Sequence, residues 1–245
     1  MLKQKVKKIA RSMGYLIVDN STIGVDFEND LKRLTSNNPI LKIFDVGGNY
    51  GQSAVRFAQA FPEAEIYTFE PVPQLFNSLC GLTSGYSKIK EFNLGFGDQK
   101  TTAIMGLADN PGANSLLIAD QSDRTCEVEI HKLDDFVAEN SVKCIDLLKI
   151  DVEGYEIPVI EGALETFKRG IIRYIYAECV FSSDPDEPHT RFHDLHRLLD
   201  THGFNFICCY TESFKLASGC SMGNVLFGNK NRLPTSALGR FGNIV

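Results

Sequence analysis

Several features that would place the chain in another class of protein are missing from its sequence. Acidic residues outnumber basic ones by 31 to 25, which gives a formal net charge of −6, so the basic excess typical of nucleic-acid-binding proteins is absent. No apolar run approaches the ~18 residues of a membrane-spanning helix. The opening segment has too short an uninterrupted apolar stretch for a secretory signal peptide. We therefore expect a cytoplasmic protein with no nucleic-acid partner and no transmembrane segment.

The cysteines lack any pairing pattern. There are 7 of them, an odd number, and no C-x-x-C pair occurs, which favours reduced and mostly buried thiols in a cytosolic protein. The spacing of cysteine and histidine does not match a zinc site. We assign no metal ligand, and a requirement for a divalent metal stays open.

The start of the chain predicts an amphipathic helix over residues 1–13, followed by a second short helix over 27–34. Apolar residues recur at helical spacing among lysine and arginine; they are Leu2, Val6, Ile9 and Met13. We interpret residues 1–36 as helices that cap the domain. A peripheral contact of residues 1–13 with a membrane surface is the alternative.

From residue 37 to 230, strands and helices alternate, which predicts one α/β domain with a mostly parallel sheet and helices on both faces. No helix separates the last two strands, so we expect an antiparallel pair at one edge, followed by a polar tail over 231–245. Strands are predicted at 41–46, 65–70, 88–94, 145–150, 171–177, 205–210 and 223–228, with short β-like pieces in 98–130. Helices are predicted at 52–61, 72–82, 131–139, 155–168 and 188–201.

Acidic side chains follow the strands of this predicted sheet, at the edge where ligands of open α/β sheets bind. In chain order they are Asp45, Glu70, Asp98, Asp151, Glu153 and Glu178. Carboxylates repel phosphates, so this edge does not predict a phosphate site. A P-loop would need a lysine that is missing here, and the glycines at 47, 48 and 51 do not fit the dinucleotide spacing.

The same acids fit a ligand with a ribose and a cationic end. Glu70 can accept hydrogen bonds from two ribose hydroxyls, Asp98 can accept from an adenine amino group, and Asp45 can meet a cationic amino acid group directly or through water. S-adenosylmethionine (SAM) has these groups and no phosphate.

Two sequence blocks then resemble a known family. "FDVGGNYGQSAVRFAQAFPEAEIYTFEP" and "IDLLKIDVEGYEIPVIEGA" are similar to the two signatures of the FkbM family of SAM-dependent methyltransferases. The resemblance implies the class I methyltransferase fold, Rossmann-like, with a seven-stranded sheet and a C-terminal antiparallel hairpin. It also implies O-methylation of a sugar, glycan or secondary-metabolite hydroxyl. Gly48 stands where the family more often has alanine, which we interpret as a small change.

The resemblance implies cofactor roles for the first block. The residues expected at the cofactor are Asp45, Gly47, Gly48, Asn49, Gly51, Glu70 and Asp98. The glycines would let the backbone approach SAM, Asn49 would bond it, and Glu70 would hold the ribose.

The second block is where we expect the chemistry of the acceptor. Asp151 or Glu153 is predicted to act as base, orienting group or metal ligand; the alternative for Glu153 is to cap the following helix. Lys149 shares a sheet face with Asp151, which makes that carboxylate its nearest candidate partner.

Three histidines are further candidates for the chemistry. His189, with His193 and His196, is predicted on one face of the helix 188–201, beside the acids. The histidines can supply a base or a metal site there. The alternative interpretation is a half-solvated helix face with no catalytic role.

Two other functions compete with methyl transfer. The domain can bind SAM without catalysis, or serve as a scaffold in a biosynthetic complex. A dehydrogenase has less support, because the dinucleotide spacing is missing. The acceptor and the oligomeric state are not predicted.

Overall fold

The computed structural model describes residues 2–15, 17, 22–109, 114–182, 184, 188–214 and 221–233. Its main sheet has seven strands in the order β3-β2-β1-β7-β8-β10-β9. The strands are β1 Lys42–Val46, β2 Glu65–Phe69, β3 Ile89–Phe92, β4 Gly95–Phe96, β5 Thr101–Gly106, β6 Thr125–His131, β7 Ile145–Ile150, β8 Ile172–Val180, β9 Phe204–Phe214 and β10 Ser221–Asn229. The predicted α/β class is confirmed.

Helices cover both faces of the sheet. They are α1 Leu2–Ser12, α2 Phe27–Leu34, α3 Gln52–Ala60, α4 Pro73–Thr83, α5 Leu133–Glu139, α6 Glu156–Glu161, α7 Leu164–Lys168 and α8 Phe192–Thr201. One apolar core includes α5 to α8, a second includes α2 and α3, and a third, smaller one packs against the small sheet of β4 to β6. Every residue of β7 is buried, as expected for a central parallel strand with helices on both sides.

The edge of the sheet beyond β7 follows the prediction. β8 is parallel to β7, whereas β10 is antiparallel to both β8 and β9. The hairpin therefore ends the sheet with a reversed pair. The stretch 98–130 contributes β5 and β6, which form a small second sheet with β4.

Two predicted helices were wrong in extent. The helix predicted over 155–168 is divided into α6 and α7 at Gly162, where a side chain would place its Cβ 1.9 Å from the carbonyl oxygen of Gly97. The carboxylate of Asp134 accepts hydrogen bonds from the N–H groups of Glu165 and Thr166, which gives α7 its own capped start. The helix predicted from residue 188 begins only at Phe192.

The two N-terminal helices are at 2–12 and 27–34, close to the predicted limits. Phe27 of α2 stacks on Tyr176 of β8 with ring centroids 3.8 Å apart, so α2 belongs to the core of the domain. Among the described residues, no helix has both the length and the apolar character that a membrane span requires. The predicted polar tail lies largely in 234–245, outside the described residues.

Candidate active site

One cavity of about 360 Å³ opens at the carboxyl ends of β1, β2, β7 and β8. It runs from the glycine loop, residues 45–51, to the acids that follow β7, and the small sheet closes one side. Its lining includes Gly47, Gly48, Asn49, Gln52, Ser53, Arg56, Glu70, Pro71, Leu75, Met105, Asn114, Lys149, Asp151, Val152, Glu153, Tyr176, Glu178 and Asn224. The sheet order thus joins the two predicted sequence blocks in one place.

The glycine loop is shaped by contacts within the protein. Gly47 has φ +82°, and a Cβ there would lie 1.8 Å from the carbonyl oxygen of Asp151. At Gly48, a Cβ would lie 2.3 Å from the Thr68 hydroxyl oxygen. In this chain the Thr68 hydroxyl thus occupies the space that the Cβ of an alanine at position 48 would need.

A buried lysine ties the two blocks together. The Lys149 ammonium lies 3.1 Å from a carboxylate oxygen of Asp45 and 3.3 Å from one of Asp151, and it donates to the carbonyl of Gly47 at 2.9 Å. Burial opposes the charge of Lys149, but the two carboxylates outweigh burial, so the pKa of Lys149 is raised. The prediction that Lys149 pairs with Asp151 is confirmed.

Asp45 lies beneath the loop with 0% of its surface exposed. Its carboxylate accepts hydrogen bonds from the hydroxyls of Ser53 at 2.6 Å and Thr68 at 3.2 Å. The cation that Asp45 meets in this structure is Lys149, so its contact with a ligand stays a prediction.

Glu70 directly follows β2 and contacts the glycine loop. Its carboxylate accepts hydrogen bonds from the N–H groups of Asn49 at 2.8 Å and Val72 at 2.9 Å, which leaves lone pairs for further donors. Burial raises the pKa of Glu70 above its ordinary value, although these two N–H groups favour the charged form. Asn49 has φ +49°, and its side-chain oxygen is buried with no hydrogen-bond partner among the described residues.

The opposite end of the cavity is an acid cluster, which we define as Asp151, Glu153 and Glu178. One carboxylate oxygen from each lies within 4.8 Å of the others, close enough to share a divalent cation. Burial, followed by the charges of the other acids, raises the pKa of Glu178 to about 9. Burial and the charge of Asp151 raise the pKa of Glu153 to about 7. The cluster can therefore hold a proton or a cation near neutral pH.

Glu153 does not cap the helix that follows it. It sits at φ +54° in the turn after β7. The N–H groups of Val152 and Gly154 donate hydrogen bonds to the Glu156 carboxylate, with N···O distances of 3.1 and 3.3 Å. Because Glu156 satisfies this turn, the carboxylate of Glu153 is left at the cavity.

Asp98 is outside the cavity lining. β3 ends at Phe92, earlier than predicted, and Asp98 follows β4 of the small sheet instead. It is exposed beside Tyr155, whose pKa is raised by burial and by the charge of Asp98. A contact of Asp98 with adenine stays a prediction without support from this placement.

The three histidines do not share a helix face, contrary to prediction. His189 precedes α8 and is half-buried, and its electrostatic interaction with Glu153 lowers the pKa of that acid. The side chain of His193 is 55% exposed beside Asp194. The ring of His196 packs near Phe227, 6.2 Å between centroids. Only His189 stays beside the acids.

Several lining residues had no assigned role in the sequence. Glu178 was already among the acids at the predicted strand ends, although β8 continues past it to Val180; Asn224 of β10 lies directly across from it in the sheet. Met105 of β5, in the small sheet, and Tyr176 of β8 also line the cavity. Strand pairing brings these residues to the site, and no local motif marks them.

The strand order and the site define the class I methyltransferase fold. The METTL16 MTase domain superposes with a TM-score of 0.50 at 12% identity, over 83% of this chain and 65% of that one. A co-crystal structure of WbdD gives a TM-score of 0.50 at 11% identity, over 90% of this chain and 43% of that one. Both superpositions show the fold of the domain, a seven-stranded and mostly parallel sheet that ends in an antiparallel hairpin.

The chain belongs to the family described as the methyltransferase FkbM domain, which matches residues 45–206. It is 32% identical to the 2-O-methyltransferase NoeI of Sinorhizobium fredii (strain NBRC 101917 / NGR234) over 154 residues, 56% of this chain and 62% of that protein. It is 27% identical to the methyltransferase sdnD of Sordaria araneosa over 169 residues, 56% of this chain and 64% of that protein. The matches span less than two thirds of either relative.

Proposed function

We propose that this chain transfers the methyl group of SAM to a hydroxyl of a small molecule or glycan in the cytoplasm. The observation that carries the proposal is the cavity in which Glu70 and the glycine loop face the acid cluster. The family, and the similarity to the 2-O-methyltransferase NoeI, support the reaction type.

The residues at the loop end fit the cofactor. The buried oxygen of Asn49 lacks a partner among the described residues and can accept from an ammonium group. The free lone pairs of Glu70 can accept from ribose hydroxyls. Leu75 and Met105 give this end an apolar wall suited to a purine ring.

When bound, SAM would supply a methyl group on a sulfonium centre for transfer to an acceptor oxygen that is aligned with the sulfur–methyl bond. The proton of the acceptor hydroxyl would need a base on the protein. We assign that proton to Glu153, since a pKa of about 7 suits a base that works near neutral pH. Asp151, held by Lys149, would orient the hydroxyl.

Loss of the Glu70 carboxylate should weaken SAM binding by about 10- to 100-fold, the expected effect of losing hydrogen bonds to a charged acceptor. Isothermal titration of Glu70→Gln with SAM measures it, and thermal unfolding checks that the variant is folded. Glu63→Gln is the matched control, because the Glu63 carboxylate is 81% exposed. Equal SAM affinity in wild type and Glu70→Gln would contradict the proposed ribose contact.

Glu153→Gln should lower kcat by about 100-fold or more. In the wild type, the rate should rise with pH through about 7, as Glu153 loses its proton, and this limb should vanish in the variant. The assay measures transfer of radiolabel from SAM to sugars, glycans and polyketide hydroxyls, with and without EDTA. Glu161→Gln, an exposed acid of α6, is the control.

The outcomes of this assay separate the rival functions. Transfer that EDTA abolishes would assign a cation to the acid cluster, in place of a free carboxylate base. SAM binding with no transfer to any member of the panel would favour a protein that binds SAM without catalysis.

A further inference from the structure

The N-terminal helix α1 presents an apolar face to solvent. The exposed fraction is 46% for Val6, 59% for Ile9 and 63% for Met13. Val6 and Ile9 lie on one face of α1, and Met13, in the turn directly after Ser12, continues their stripe at the spacing i, i+3 and i+7. Tyr15, just beyond the helix, is 69% exposed. An apolar surface of this kind on one helix is typical of an interaction site.

Basic residues surround this stripe. They are Lys3, Lys5, Lys7, Lys8 and Arg11, and residues 2–17 contain no acid. Lys3 and Lys5 lie on either side of the stripe at 100° per residue. Five of the 25 basic residues of the chain are therefore in α1, and the other 20 stand against 31 acidic residues. The positive charge is local to this helix.

Packing against the domain does not account for the apolar stripe. Among the described side chains of α1, only Ala10 is buried. In contrast, α2 buries Phe27 and Leu31 in the core of the domain. Helix α2 is thus held by its apolar side chains, whereas Val6 and Ile9 of α1, and Met13 after it, are exposed and available to a partner.

We propose that α1 binds the surface of a lipid bilayer that carries anionic headgroups. A helix with an apolar stripe flanked by lysines lies in the interface, with the apolar side chains among the acyl chains and the cations at the headgroups. With 11 residues, α1 is too short to span a bilayer. Charge complementarity selects an anionic surface, and the exposed Ile9 and Met13 select a lipid over a nucleic acid, which offers phosphates and no apolar interior.

The test is co-sedimentation of the full chain with vesicles of phosphatidylcholine alone or mixed with phosphatidylglycerol. Each lysine near an anionic surface contributes a factor of about five in binding. Lys3→Gln/Lys5→Gln should therefore bind mixed vesicles about 25-fold more weakly. Lys100→Gln/Lys143→Gln removes the same charge from exposed positions elsewhere and should change binding less than about twofold.

A second variant tests the apolar stripe. Ile9→Ser/Met13→Ser should abolish binding to mixed vesicles, whereas its thermal unfolding and SAM affinity should equal those of wild type, because both side chains are exposed. Added salt should weaken binding of the wild type. Failure of the wild type to bind mixed vesicles at low salt would overturn the proposal. So would a dimer that depends on Ile9 and Met13 and does not bind vesicles.

Discussion

The two loops that line the cavity differ in how their charges are balanced. In the glycine loop, Asp45 is buried against Lys149 and two hydroxyls, and the glycines fit closely against neighbouring residues. After β7, Asp151 and Glu153 meet Glu178 with their oxygens within 4.8 Å, and two of these acids have raised pKa values. The first loop is preorganised by packing, whereas the second keeps like charges close together.

This difference separates two tasks. A cofactor common to every turnover is best held by a rigid frame, in which few groups must move when it binds. A group that exchanges a proton needs a pKa near the working pH, and crowded carboxylates supply one. Lys149 contacts both loops, so it is the residue through which one can disturb the other.

The largest effect is expected from Lys149→Met. Removing the ammonium leaves Asp45 buried without its counter-charge, which should lower the free energy of unfolding by about 3–5 kcal/mol. Lys42→Met is the matched control in β1, because the ion pair of Lys42 with Glu65 is partly exposed and should contribute less than about 1 kcal/mol. Chemical denaturation measures both variants. If both variants lost the same free energy of unfolding, burial of the Lys149–Asp45 ion pair would not increase its contribution to stability.

The packing of the glycine loop is tested at Gly48. Gly48→Ala should cost about 1–3 kcal/mol, because its Cβ would meet the hydroxyl oxygen of Thr68. In a Thr68→Ala background the same substitution should cost about 1 kcal/mol less. Gly81→Ala in α4, where a Cβ meets nothing within 4 Å, should instead stabilise the protein by about 0.5–1 kcal/mol.

A cost of Gly48→Ala that does not change in the Thr68→Ala background would contradict the close fit. The loop would then owe its conformation to something other than Thr68. Chemical denaturation of the two single variants and the double variant completes this comparison.

The smallest effect concerns the acid cluster. Because the pKa of Glu178 is about 9 in the folded protein and ordinary when unfolded, the folded state binds the extra proton. The free energy of unfolding should therefore fall as pH rises from about 5 towards about 9. Glu178→Gln should flatten this slope and therefore be more stable than wild type near pH 8. Thermal unfolding across this pH range measures it.

The same variant tests whether a proton or a cation neutralises the negative charge of the acid cluster. A rise of Tm with added Mg²⁺ in wild type, absent in Glu178→Gln, would assign a cation to the three acids. No rise in either protein would leave the proton as the balancing charge, as the slope with pH predicts.

Much of the architecture could be predicted from local patterns. The bounds of β7 and α2 were predicted to the residue, since each is a short apolar or amphipathic run with clear limits. The helix after β8 was predicted too long, because His189 matches the helical spacing of His193 and His196 although it lies before the helix. The break at Gly162 depends on Gly97, 65 residues away, which no local pattern contains.

The sequence by itself determined the alternation of strands and helices, the family, and the meeting of its two blocks at one edge of a parallel sheet. Tertiary structure decided which acids share that edge. Glu178 joins Asp151 because β8 pairs with β7. Glu156 accepts the N–H groups of the turn after β7, so Glu153 lies at the cavity and does not take its alternative role as a helix cap. Asp98 lies apart because β4 directs the chain into the small sheet. Spacing sets which side chains share a strand face, but only strand pairing and burial set which charges meet.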